Sequence, residues 1–101
     1  MTRGRIDRYP SRVPYRWLAV AFVVIAKHRI EPHEVNQVLA SSRRCGFTAY
    51  SDLGPLRSVW GVTKAGRRLI VVLRDADGLD KEIIGAREMT EAEAEVFDRW
   101  T

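Results

Sequence analysis

Residues 67–90 constrain this chain most, because they read as strand, turn, strand and helix start in immediate succession. Leu69-Ile70-Val71-Val72-Leu73 is an unbroken apolar run of strand length, rich in β-branched residues and bounded by Arg67, Arg68 and Arg74. A run without polar alternation suits a central strand covered on both faces. Asp75-Ala76-Asp77-Gly78 has turn chemistry, and residues 81–86 return as a second strand. Thr90 with Glu93 is a capping-box signature opening a helix that carries Ala92, Val96, Phe97 and Trp100. Arg87 falls at the seam between strand and helix. Gly85, expected on the same face as Arg87, leaves room there for a backbone or a nucleotide.

The segments before this unit supply the rest of one α+β domain. Residues 56–63 alternate, with Leu56, Ser58, Trp60 and Val62 facing one way and Arg57, Val59 and Gly61 the other. Lys64-Ala65-Gly66 makes a tight connection to the next strand. Residues 43–55 are loop-rich, with one strand at 47–50. Pro32 near a first helical position, between Glu31 and Glu34, marks a helix start, and Val35, Val38 and Leu39 form its apolar stripe. Residues 15–28 are open between strand and helix; a short strand over 16–18 followed by a buried helix to Lys27 satisfies both signals. Residues 1–14 hold Arg3, Arg5, Arg8 and Arg12 with two prolines and read as a basic, extended arm. The expected architecture is therefore N-terminal helices packed on a small antiparallel sheet of 3–5 strands, with a C-terminal helix, over residues 15–101.

Charge is unevenly spread. Residues 1–74 carry 14 Lys or Arg against 4 Asp or Glu, whereas residues 75–101 carry 3 against 9. A basic body favours a polyanionic partner, nucleic acid first. The longest apolar run, residues 17–26, is too short for a bilayer, which needs about 20 residues, and no small-residue cleavage pattern follows it. Cys45 stands alone, which suits a reducing cytoplasm. No phosphate-cradling glycine loop, zinc pattern or Ser-His-Asp order is present. His28 and His33 are five apart, off the spacing that sets two metal ligands on one helical face, so no metal or cofactor is expected.

What remains is a set of strand-borne cations: Arg57, Lys64, Arg67, Arg68, Arg74 and Arg87. Strand alternation predicts Arg57 and Arg87 on one face of one sheet. Clustered guanidinium groups hold phosphates bidentately and stabilise the charge that builds up when a 2′-hydroxyl attacks the adjacent phosphate. The plainer reading is that such arginines block edge pairing and pair with nearby acids. Trp17, Trp60 and Trp100 are expected in core packing rather than base stacking, and His28 as a helix-end cation rather than a proton-transfer group.

Lys27-His28-Arg29-Ile30-Glu31-Pro32-His33-Glu34-Val35, Arg57-Ser58-Val59-Trp60-Gly61, Gly66-Arg67-Arg68-Leu69-Ile70-Val71-Val72 and Ile83-Ile84-Gly85-Ala86-Arg87-Glu88-Met89-Thr90 with Glu93 resemble, in order and spacing, the BrnT family. These are toxins of type II toxin–antitoxin systems with a RelE-like fold. The resemblance implies a ribonuclease that arrests growth, and a small ribbon-helix-helix antitoxin that blocks it, in a homodimer or a toxin–antitoxin hetero-oligomer. It also implies basic site residues at Arg57, Arg67 or Arg68, and Arg87, with His28 at the family's helix-end histidine. Lys64, Arg43 and Arg44 extend the expected RNA contact. Arg29 stands where the family has a glycine, and no acid–base pair is recognisable. The alternative is a non-catalytic nucleic-acid-binding or antitoxin-partner module that keeps the fold.

Overall fold

The computed structural model describes residues 15–52, 54–75 and 81–101. The basic arm read over 1–14 and most of the turn read over 75–78 lie outside them. The elements run β1 (Tyr15–Trp17), α1 (Ala19–Lys27), α2 (Pro32–Ala40), β2 (Arg44–Ser51), β3 (Gly54–Val62), β4 (Arg68–Asp75), β5 (Lys81–Glu88) and α3 (Glu91–Trp100). They form one five-stranded sheet in the order β1-β5-β4-β3-β2. β2 to β5 are an antiparallel meander, whereas β1 joins β5 in parallel, so the sheet is mixed rather than purely antiparallel. The small α+β domain is as expected; the parallel β1 is the part the residue pattern does not announce.

The two faces are covered by different helices. α1 and α2 lie on the first face, where Ala21, Ile25, Ile30, Val35, Val38 and Leu39 pack on Val59, Leu69, Val71, Leu73, Ile83 and Ala86. α3 lies on the second, with Phe97 fully buried and Trp100 against Phe47, itself against Trp60. β4 is buried from both sides, as its continuous apolar run requires. Two glycines let the first-face helices approach closely. A Cβ on Gly61 would stand 2.9 Å from Val38 Cγ1, and one on Gly85 would stand 2.9 Å from Val24 Cγ1. The room at Gly85, next to the bulge between Val72 and Leu73, is therefore taken by α1 rather than left for a nucleotide.

Other expectations shift in detail. The strand read at 47–50 spans Arg44–Ser51, which leaves little loop between α2 and β3. The strand over 15–17 and the helix from Ala19 resolve the strand-or-helix question in favour of both. However, α1 is not buried all round. Ala21 and Ile25, four apart, enter the core, while Val20, Phe22 and Val23 are exposed and Phe22 stacks on Trp17 at 4.8 Å. α1 ends in a Schellman motif, with Ile30 N–H donating to Ile25 C=O and Arg29 N–H to Ala26 C=O. Arg29 takes the left-handed position at φ 57°, where glycine is the usual occupant. Thr90 and Glu93 cap α3 reciprocally, as their spacing predicts. Gly66 has φ +91° and closes the β3–β4 turn, its N–H donating to Thr63 C=O.

Candidate nucleic-acid interface

The strand register decides which cations can act together. Arg57 and Trp60 are three apart on β3, so they point to opposite faces. Trp60 pairs with Ile70, and Ile70 with Arg87. Arg87 therefore lies on the α3 face and Arg57 on the α1–α2 face, which corrects the expectation that they share one surface. The expected residues fall into three separate groups.

The first group belongs to α3. Arg87 donates from both terminal nitrogens to Glu93, at 2.7 and 2.8 Å. That paired guanidinium, together with the Thr90 N–H, holds the Glu93 carboxyl down at about 2. Arg68 makes a two-point contact to Asp98 at 2.9 and 3.0 Å, and Arg43 reaches the same carboxylate at 3.0 Å while its guanidinium sits 5.0 Å over the Phe97 ring. On the same face Glu82 accepts from Arg74 and Arg16, which lowers its carboxyl, Arg74 first. Five arginines here are thus matched to three carboxylates. Their work is to hold α3 and the β1 edge.

The second group is a structural staple at the α1–α2 corner. Arg67 donates to Glu88 at 2.9 Å, to Glu34 at 2.9 Å and to the carbonyls of Arg29 and His28 at 2.8 and 3.2 Å. Its N–H also donates to the Thr63 hydroxyl. Glu34 in turn accepts from the Glu31 N–H, which with Arg67 keeps its carboxyl below the usual range. Arg67 reaches His28 through its carbonyl, so the contact leaves the imidazole outside the staple. The His28 side chain is exposed at the C-cap of α1. Lys64 sits exposed in the β3–β4 turn, its backbone N–H donating to Gln37.

The third group is open. Arg44, Arg57 and Lys81 line a pocket of about 420 Å³ on the first face, beyond the end of α2. Val59 and Leu73 form its floor, Leu39 one wall, and Tyr15 lies beside Lys81 across the β1–β5 pairing. Arg44 donates to the Leu39 carbonyl, and Lys81 is paired with Asp75. The Asp75 carboxyl is lowered by Lys81 first and, more weakly, by the charge of Arg57. Arg57 itself has no hydrogen bond or ion pair with any described residue and is exposed. A neighbouring recess lined by Thr48, Pro55, Leu56, Arg57, Asp75 and Lys81 prolongs the surface.

Tyr15 and Lys81 were not singled out by sequence reasoning. Tyr15 joins the site only because β1 pairs in parallel with β5, and no local signal in the chain announces that pairing. No group of three or more His, Cys, Asp or Glu side chains able to hold a metal occurs among the described residues. Also among them, no helix is long and apolar enough to cross a membrane. No protein-family model matches the chain, and no curated protein matches it in sequence.

Proposed function

We propose that this protein binds RNA through the phosphate backbone, in the first-face pocket around Arg57. One observation carries the reading: Arg57 is exposed and has no carboxylate in hydrogen-bonding contact among the described residues, beside Arg44 and Lys81 in the same recess. A guanidinium without a fixed partner gives up no ion pair when it turns to a phosphate, whereas Arg68 or Arg87 must first give up a bidentate pair. The excess of basic residues over 1–74 supports it with a long-range attraction for polyanions. The resemblance to BrnT supports two further parts of the proposal, a small ribbon-helix-helix antitoxin as protein partner and a cytoplasmic setting, with which a lone Cys45 accords.

Binding of a single-stranded RNA oligomer, followed by fluorescence anisotropy over a salt series, tests the site. Arg57→Gln is expected to weaken binding about tenfold and to lower the salt slope by about one. Equal affinity of Arg57→Gln and the unaltered protein overturns the reading.

A second reading, cleavage as an RNase toxin of RelE-like fold, is favoured by Tyr15 and Lys81 in the pocket with Arg57. In that reaction the 2′-oxygen attacks the adjacent phosphorus and the 5′-oxygen leaves, giving a 2′,3′-cyclic phosphate and a 5′-hydroxyl. The 2′-hydroxyl gives up its proton to water, Arg57 and the Lys81 ammonium stabilise the extra charge on the phosphoryl oxygens, and the Tyr15 phenol gives one proton to the leaving 5′-oxygen. Arg67, Arg87 and His28 have no part in it. Intact RNA after prolonged incubation, together with unaffected growth on expression, leaves binding alone.

A further inference from the structure

The two edges of the sheet are finished differently. β1 closes one with only three residues, its middle position being the exposed Arg16. β2 closes the other with eight, and from Cys45 to Ser51 it contains no charged residue and no proline. Its ladder with β3 runs regularly from Arg44↔Gly61 to Ser51↔Gly54. Natural sheets blunt long edges with charges, prolines, bulges or a covering element. β2 uses none of these between Cys45 and Ser51. α3 touches Phe47 from the sheet face through Trp100, and no described strand pairs with the outer side of β2.

The geometry points to a second copy of this chain as the occupant of that edge, with β2 of each copy paired antiparallel about a two-fold axis at Thr48. An axis between two adjacent strands of one sheet stands perpendicular to it, so each residue meets one of its own face and the register can move only in steps of two. With the axis at Thr48, Thr48 lies opposite Thr48 of the second copy, a favourable cross-strand pair. Arg44 then comes alongside Asp52 at the hairpin of the second copy, and both side chains are exposed. Gly46 lies opposite Tyr50, which is 82% exposed in the single chain and whose ring would cover the bare glycine backbone. Phe47 faces Ala49, large against small. Moving the axis to Phe47 or to Ala49 separates Arg44 from Asp52 and takes Tyr50 off Gly46. The charges and the aromatic thus select one register. It places the two Arg57 pockets on the same side of a ten-stranded sheet, with Arg44 common to pocket and seam.

Sedimentation velocity of the full chain from micromolar to millimolar concentration tests the pairing without any substitution; a reversible dimer is expected. Arg44→Asp and Asp52→Arg should each weaken it about tenfold, since two equivalent pairs are lost per dimer, and the double variant should recover it. In a Cys45→Ser background, Thr48→Cys should form an intermolecular disulfide on mild oxidation, because facing Cα atoms at about 4.5–5.5 Å fit disulfide geometry. Ala49→Cys, two residues out of register with its own copy, should not. A monomer at every concentration overturns the inference. So does a dimer indifferent to both charge reversals, or Ala49→Cys cross-linking as readily as Thr48→Cys.

Discussion

The two faces of the sheet carry arginine in opposite ways. On the α3 face Arg16, Arg43, Arg68, Arg74 and Arg87 are each met by Glu82, Asp98 or Glu93. On the α1–α2 face Arg57 stands in an open pocket without such a partner among the described residues. The acidic C-terminal quarter of the chain explains the contrast, since it supplies Glu82, Glu93 and Asp98 to one side of the sheet. A basic residue is therefore not evidence of a binding site until its partner is known. Arginines equivalent along the chain divide into those tied to carboxylates and, among the described residues, Arg57 open in its pocket.

Arg67 gives the sharpest break between the two roles. Its guanidinium joins β5, α2 and the α1–α2 corner, and Glu34 beside it is only 15% exposed. Arg67→Ala leaves that carboxylate and two carbonyls without their donor, at a cost of about 3 kcal/mol. Thermal unfolding should show a fall in Tm of roughly 15 °C for a domain of this size. If Arg67→Ala melts like the unaltered protein yet loses RNA binding, Arg67 belongs to the site and the division fails.

Arg57→Gln and Arg87→Gln sharpen the comparison from either side. The first should leave stability within about 0.5 kcal/mol, because no described partner is lost, and weaken RNA binding about tenfold. The second should bind RNA as before and lose about 1 kcal/mol, the Arg87–Glu93 pair being half exposed. Urea unfolding and anisotropy on the same two variants give a crossed pattern if the faces differ in role. Parallel losses in both assays would contradict it.

Why the sequence misplaces Arg87 is instructive. Alternation within β3 is legible: Arg57 and Trp60 are correctly set on opposite sides by counting. Passing from β3 to β5 requires two registers, Trp60↔Ile70 and Ile70↔Arg87, and a shift of one residue in either would move Arg87 to the other face. Hairpin turns set those registers, and their lengths are not visible in apolar periodicity. Capping, by contrast, is local chemistry, so Thr90 with Glu93 and Pro32 with Glu34 are read directly from the chain. α1 fails for a third reason. Its hydrophobicity is nearly uniform, so nothing in the residue pattern distinguishes Ala21 and Ile25, which enter the core, from the exposed Val20 and Val23.

Acid should loosen α3. Glu93 is held at about 2, below the ordinary glutamate value of about 4.5. A carboxyl depressed by folding contributes stability that is complete above its unfolded value and is lost as the pH falls through the folded one. The Glu93 contribution thus disappears between about pH 4.5 and 2, and is about 1 kcal/mol after allowance for exposure. Asp98, lowered chiefly by Arg68, acts in the same direction. Trp100 fluorescence should report loosening of α3 across that window, and Arg87→Gln should flatten the Glu93 part of it. A transition unchanged in Arg87→Gln would remove this pair from the account of how α3 is held.

The smallest effect concerns the corner that Arg67 staples. Arg29 occupies the left-handed C′ position of α1 with φ 57°, and its carbonyl rather than its guanidinium makes the contact to Arg67. Arg29→Gly removes a Cβ clash of about 1 kcal/mol, while the freer unfolded chain takes back roughly half of that. A net gain of about 0.5 kcal/mol, or a rise of about 3 °C in Tm, is expected. Arg29→Ala keeps the Cβ and should give no gain, which separates backbone strain from loss of surplus positive charge. Because the glycine leaves Arg57 and its pocket untouched, RNA affinity should change by no more than one distant charge allows. If Arg29→Gly instead weakens binding as strongly as Arg57→Gln, the α1–α2 corner is part of the RNA surface after all.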